Sequence, residues 1–193
     1  VTPSPARSFG PEELVVFSFP IYGGRVPAAS LARFAAFTGR NTPCIVAGTY
    51  GNRHYDDAIL EMTNLVTAQG FRVVGAAALV GRHTYGQIQT DRPNEDDLAQ
   101  DRSFAARVAA KGLDAPAITV PGNPDYRDGG KGGSFRPLTA ENCVHCGLCV
   151  RSCPVHAIAE DCKTISDECL SCFRCIRICP VQAKNMNVEA YQT

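Results

Sequence analysis

Two stretches of this chain, residues 143–154 (CVHCGLCVRSCP) and 169–180 (CLSCFRCIRICP), contain eight of its ten cysteines. Each stretch follows the pattern Cys-x-x-Cys-x-x-Cys-x-x-x-Cys-Pro, and the second begins 26 residues after the first. Other aligned positions are also identical, as in the pairs Arg151 and Arg177, Val155 and Val181, and Ala157 and Ala183. The two stretches therefore form an internal repeat, which predicts two equivalent cysteine sites.

The spacing of these cysteines is typical of bacterial iron–sulfur proteins in which the fourth cysteine of each run ligates the other cluster. Soft thiolates suit iron–sulfur clusters, and three thiolates two residues apart allow a tight loop to wrap one face of a cluster. The sequence therefore predicts two 4Fe–4S clusters with crossed ligands. We expect one cluster at Cys143, Cys146, Cys149 and Cys179, and the other at Cys169, Cys172, Cys175 and Cys153.

A zinc ribbon is the main alternative, but it uses two Cys-x-x-Cys pairs, so the third and fourth cysteines of each copy would be surplus. A disulfide framework fits the pattern less well. Cys44 lies in the apolar run 43–48 (PCIVAG), which predicts a small buried core residue. Cys162 is expected to be a spare thiol, because eight ligands already complete two clusters.

Positive charge near a cluster favours its reduced, more negative state. Arg174 and Arg177 both lie within the second motif, whereas the first contains only Arg151. The two arginines are expected to raise the reduction potential of the second cluster, unless they point into water and are screened.

The balance of charges limits the classes of partner. The chain has 19 basic and 19 acidic residues, a formal net charge of zero and no block of like charges. This argues against nucleic-acid binding and against a polybasic membrane anchor. No apolar stretch approaches the ~20 residues of a membrane span, so no membrane insertion is expected. Intact thiolates at this density favour a cytoplasmic location, and the expected partners are redox proteins that donate and accept electrons.

Residues 121–137 (PGNPDYRDGGKGGSFRP) are rich in glycine and proline and predict a linker between two domains, 1–120 and 138–193. In the first domain, apolar runs predict buried strands at 14–19, 43–49 and 71–80. Helical patterns alternate with them at 27–37, 56–69 and 95–111. This alternation predicts parallel βαβ units, which bind ligands at the carboxyl ends of their strands.

Two loops that follow the first two predicted strands share a composition. Residues 20–27 (PIYGGRVP) and 48–57 (GTYGNRHYDD) combine glycines, which allow a close backbone approach, with a tyrosine suited to stacking on a flat ring. Ordinary turn chemistry with one packed aromatic residue in each loop is the alternative interpretation.

On these loops, on 81–86 (GRHTYG), 92–98 (RPNEDDL) and 121–123 (PGN), and on the cysteine motifs, the chain resembles the family of flavodoxin–ferredoxin fusion proteins. The resemblance implies an α/β, flavodoxin-like parallel sheet, shortened at its N-terminal end, followed by a small α+β two-cluster ferredoxin domain. It also implies that two loops flank an FMN ring, with contacts at Tyr22, Gly23, Gly24, Tyr50, Gly51 and Asn52.

One departure from that family concerns FMN, because residues 1–13 are too short for the strand and phosphate loop that open a flavodoxin-like domain. Weak or no FMN binding is therefore expected. The expected function is an electron carrier that passes single low-potential electrons through two clusters, with FMN as an optional further cofactor. Two alternatives are a flavin-dependent oxidoreductase acting on a small substrate, with His83 or Tyr85 as general acid, and a non-catalytic subunit of a larger redox complex.

Overall fold

The computed structural model describes residues 5–85, 88–129 and 135–186. The chain divides into two compact units, one formed by Thr2–Gly129 and the other by Gly130–Thr193. The first is a mixed α/β unit with parallel strands, and the second contains both cysteine motifs. Among the described residues, no helix is long and apolar enough to cross a membrane.

The described residues of the first unit form two parallel sheets. The larger has the strand order β2-β4-β5, and a two-stranded sheet pairs β1 with β3. Their bounds are β1 Arg7–Phe9, β2 Val15–Pro20, β3 Phe37–Gly39, β4 Thr42–Tyr50 and β5 Phe71–Val80. The predicted strands over 14–19, 43–49 and 71–80 are confirmed to within one residue at each end, because continuous apolar runs are a strong local signal.

The strands are connected or followed by helices α1 (Ala28–Phe34), α2 (Ala58–Ala68) and α3 (Glu95–Lys111). The prediction for α3 is confirmed at both ends. Its first turn is held by a capping box, in which Asn94 Oδ1 accepts from the Asp97 N–H at 3.0 Å and the Asp97 carboxylate accepts from the Asn94 N–H at 2.9 Å.

The helix predicted over 27–37 ends earlier than expected. Its last three residues leave the helix, and Phe37 begins β3, where it pairs with Arg7 of β1. Phe37 also packs edge-on against Phe9, with 6.0 Å between the ring centroids. The short strand pairing and the aromatic contact therefore outweigh the local helical pattern, and neither is visible within a window of neighbouring residues.

The larger sheet is covered on both faces, because successive side chains of a strand point to opposite sides. On one face Cys44, Val46 and Val73 pack with Met62 and other residues of α2 in the main core. On the other face Ile45 and Val74 meet Phe104 and Val108 of α3 in a smaller cluster. Cys44 is fully buried, which confirms its predicted core position, and burial raises the pKa of its thiol to about 12.

Part of the predicted linker packs on the first unit. The carboxylate of Asp57, at the start of α2, accepts hydrogen bonds from the N–H groups of Asn123 and Arg127 at 2.9 and 2.8 Å. Tyr126 accepts a hydrogen bond from Asn64 of α2 at 2.7 Å. These bonds attach residues 123–127 to α2, and the later residues 130–134 lie outside the described part of the chain.

The second unit repeats one local structure twice. Helix α4 (Leu148–Arg151) lies in the first motif and helix α5 (Arg174–Arg177) lies at the same position of the second. Strands β6 (Leu138–Thr139) and β7 (Lys184–Asn185) pair antiparallel. This pairing brings the residues before the first motif next to those after the second, so the two copies close on each other.

Candidate metal centres

The repeat seen in the cysteine spacing extends to the backbone. Three pairs of aligned residues adopt the left-handed conformation with similar φ angles: His145 (51°) and Ser171 (49°), Gly147 (68°) and Phe173 (55°), and His156 (53°) and Gln182 (53°). For residues other than glycine this conformation costs roughly 1–2 kcal/mol each. Both copies of the repeat adopt this conformation at the same places, so the chain reverses in the same way around each set of cysteines.

The first cavity is lined by all four cysteines predicted to hold one cluster. Three of them belong to the first motif, whereas the fourth ends the second motif. Its lining residues include Cys143, Cys146, Cys149, Cys179, Cys162, Val144, Leu148 and Lys184. The donor set is therefore rich in thiols, as an iron–sulfur cluster requires.

The second cavity has the reciprocal composition. Three cysteines of the second motif line it together with the last cysteine of the first. Its lining residues include Cys169, Cys172, Cys175, Cys153, Ile158, Leu170, Phe173 and Arg174. Each cavity thus brings together the four cysteines that the crossed arrangement assigns to one cluster.

Backbone N–H groups point at the two cysteines that end the motifs. The Ala157 N–H donates to Cys153 Sγ at 3.3 Å, and the aligned Ala183 N–H donates to Cys179 Sγ at 3.2 Å. Burial acts to raise the pKa of Cys179, but the N–H groups of residues 181–184 outweigh it, and the pKa is lowered. These donors stabilise a charged sulfur, which is the form that binds iron.

The remaining ligands lie in less polar surroundings. Burial raises the pKa of Cys175 to about 11 and also raises that of Cys149, while the positive charge of Lys184 opposes the shift at both thiols. Iron takes the place of the thiol proton, so metal binding and the charge of Lys184 both compensate for burial. The cysteines and the donors around them therefore fit 4Fe–4S clusters.

Cys162 lies closer to the first site than its sequence position indicated. It is 1% exposed and lines the first cavity. Its sulfur, the Cys143 sulfur and a ring nitrogen of His145 lie within 4.8 Å of one another. The cysteine spacing could not distinguish Cys162 from an ordinary buried thiol. Its position at the cavity depends on how residues 155–168 fold. Its expected role as a spare thiol stays a prediction.

The predicted flavin loop after β2 forms a tight turn. Tyr22 and Arg25 exchange two backbone hydrogen bonds of 3.1 Å, and Gly23 and Gly24 between them have φ angles of 59° and 79°. A Cβ atom on Gly24 would lie 2.0 Å from the Asp56 carboxylate. The turn requires glycine for its own geometry and packs against the loop after β4.

The loop after β4 also makes contacts within the chain. Tyr50 packs edge-on against Tyr55 with 5.7 Å between ring centroids, and Asn52 donates a hydrogen bond to Gln89 at 3.2 Å. A Cβ atom on Gly51 would lie 2.4 Å from the His83 ring. The two predicted loops therefore meet at the carboxyl edge of the sheet, but internal contacts account for Tyr50, Gly51 and Asn52.

His83 and Tyr85, the predicted acid candidates, lie in the loop after β5. The His83 Nδ1 atom accepts a hydrogen bond from the Tyr85 N–H at 3.0 Å, and the two rings pack edge-on with 5.4 Å between centroids. This contact gives His83 a role in shaping the turn. Residue 86, the last of the resembling stretch 81–86, lies outside the described residues.

Comparison with protein families identifies two regions of the chain. Residues 138–159 match a family described as the 4Fe-4S binding domain, and residues 169–183 match a second family with the same description. Each match contains one of the cysteine motifs. Comparison with curated proteins and with solved structures gives no match.

Two ferredoxin-type 4Fe–4S domains are therefore present in the second unit, and they support a role in iron–sulfur electron transfer. Domains of this type imply redox partner proteins. Neither match extends into the first unit, so its flavodoxin-like character remains a prediction from resemblance.

Proposed function

We propose that the chain carries single low-potential electrons through two 4Fe–4S clusters with crossed ligands, between a redox donor and a redox acceptor protein in the cytoplasm. The observation that carries this proposal is the composition of the two cavities. Each combines three cysteines of one motif with the last cysteine of the other. When bound, a 4Fe–4S cluster of this type accepts and releases one electron at a time.

The protein residues around the cavities support this role in three ways. Eight cysteines line the two cavities, and the backbone N–H groups of Ala157 and Ala183 donate to the sulfur atoms of Cys153 and Cys179. Apolar side chains such as Ile158 and Leu170 line the second cavity and limit water. Cys146 and Val144, at the first cavity, are exposed, which gives that site a short route to a partner.

The proposal is tested by anaerobic purification of the whole chain. We expect about eight irons and eight acid-labile sulfides per chain, as two four-iron clusters require, and uptake of two electrons in a dithionite titration followed by EPR. The Cys44→Ala variant is a control, since that thiol is buried in the first unit. Zinc instead of iron, or uptake of one electron only, would contradict two clusters.

A flavin in the first unit is a second candidate, favoured by one observation. The loops after β2 and β4 meet at the same edge of the parallel sheet, where Gly24 lies against Asp56. Parallel sheets bind ligands at this edge. FMN would couple one-electron and two-electron transfers. Tyr50 and Asn52, however, already contact Tyr55 and Gln89, which leaves fewer groups to contact a flavin ring.

A further inference from the structure

Lys184 is a buried lysine at the first cavity. It begins β7, is 2% exposed and lines the cavity together with Cys149 and Cys179. Among the residues that the structure describes, its Nζ atom has no hydrogen-bond partner. Burying an ammonium group without a partner is costly, so a ligand that accepts its hydrogen bonds and balances its charge would account for this position.

The internal repeat shows that Lys184 replaces an apolar residue. Lys184 follows Cys179 by five residues, and the aligned residue of the first motif is Ile158. Ile158 is also buried, at 5% exposure, and lines the second cavity. The fold therefore accommodates an aliphatic side chain at this position, and packing alone does not require a lysine.

Three observations relate Lys184 to the sulfur ligands. Burial raises the pKa of Cys149 and of Cys175, and the positive charge of Lys184 opposes that rise at both thiols. The backbone N–H of Lys184 helps to lower the pKa of Cys179. Its charge also acts on Asp161, but that carboxylate accepts hydrogen bonds from Lys163 and Thr164. The cysteines on which the charge of Lys184 acts therefore belong to the proposed cluster sites, and Cys149 lines the same cavity as Lys184.

We propose that Lys184 is a positioning residue whose ammonium group donates hydrogen bonds to the sulfur atoms at the first cavity and raises the reduction potential there. The inference rests on the proposed function, since it requires a cluster at that site. Reduction adds one electron and makes the site more negative, so a fixed positive charge stabilises the reduced form more than the oxidised form. The second cavity has Ile158 at the aligned position and so lacks a matching lysine. The two clusters are therefore expected to differ in reduction potential.

The test measures both midpoint potentials by an EPR-monitored dithionite titration of the full chain. Lys184→Met removes the charge and keeps a long unbranched side chain. We expect it to lower the equilibrium constant for reduction of the cluster at the first cavity by at least about tenfold. This is a fall in midpoint potential of about 59 mV for a one-electron couple. The potential at the second cavity should move less. The signal that persists in Cys153→Ala identifies the first cavity.

Three variants serve as controls. Lys184→Arg keeps the charge and should stay close to the wild-type potential. Lys184→Ile introduces the residue found at the aligned position and should behave like Lys184→Met. Lys163→Met removes the charge of a nearby exposed lysine and should leave both potentials unchanged, because water screens that charge.

The outcomes separate this inference from the proposed function. Unchanged potentials in Lys184→Met with full iron content would show that the inference is wrong. Loss of iron in the methionine and isoleucine variants, with retention in the arginine variant, would support a charge directed at the cluster. Loss in all three would assign Lys184 to packing and contradict the inference. Failure of the wild-type chain to bind two clusters would instead contradict the proposed function.

Discussion

Cys153 and Cys179 end the two motifs and lie in the cavities of the opposite motifs. Each is followed by a proline, which removes a backbone donor and fixes φ, and each accepts an N–H bond from the alanine four residues later. The last cysteine of each motif thus couples the two sites. Its loss should therefore weaken cluster binding at the other motif's cavity.

Replacing Cys153 by alanine tests this coupling. We expect the variant to lose the cluster held mainly by the second motif and to keep the one at Cys143, Cys146 and Cys149, so that iron falls from about eight to about four per chain. Cys162→Ala is the matched control and should keep both clusters. Iron analysis with EPR distinguishes the sites. Loss of the cluster at the first cavity in Cys153→Ala would refute the crossed arrangement.

At the scale of elements, the carboxylate of Asp57 joins α2 to residues 123–127. The hydrogen bonds from the Asn123 and Arg127 backbones hold the pKa of Asp57 below its ordinary value of 3.8. A lowered pKa in the folded state means that this stabilisation is present at neutral pH. It is lost as the pH falls below 3.8 through the lowered value.

Asp57→Asn should therefore release residues 123–127 at neutral pH. An amide offers one acceptor oxygen and no negative charge, so at least one of the two backbone bonds is weakened. We expect severalfold faster hydrogen exchange in a peptide covering this segment at pH 7, with the difference from wild type shrinking as the solution is acidified. Asp125→Asn removes a charge from the same segment and should exchange like wild type. Equal rates in all three proteins at pH 7 would argue against the anchoring role.

Helix α5 carries two exposed arginines, of which Arg174 lines the second cavity. Because both arginines are exposed, water and salt should screen their charges. Their effect on the reduction potential of the second cluster should therefore be small and sensitive to salt. Arg174→Gln should lower that cluster's midpoint potential at low ionic strength and have less effect at high ionic strength. Arg177→Gln is the matched control, with a smaller expected shift. An unchanged midpoint potential in Arg174→Gln at low salt would show that Arg174 does not tune the second cluster.

For the molecule as a whole, FMN binding by the first unit can be tested directly. We expect weak or no FMN binding by the 193-residue chain, because Tyr50 and Asn52 already contact Tyr55 and Gln89. Titration of the chain into FMN, followed by quenching of flavin fluorescence, measures the affinity. Riboflavin is the control, since tighter binding of FMN would reveal a phosphate site. Stoichiometric FMN binding would overturn the expectation.

The sequence alone determined the elements that depend on nearby residues. The spacing of the cysteines indicated two four-iron sites, and apolar runs located β2, β4 and β5 closely. The capping and charge pattern of 95–111 located α3 at both ends. These features could be predicted because ligand spacing, strand burial and helix capping are all set within a few residues of one another.

Features that depend on distant residues became visible in the folded chain. Phe37 joins a strand because Arg7 pairs with it, and residues 123–127 pack on α2 because Asp57 accepts their N–H groups. Cys162 and Lys184 lie at the first cavity because the two copies of the repeat close on each other. In the sequence they are an isolated cysteine and a lysine. Burial and the nearest charged groups are set by long-range packing, which local patterns do not contain.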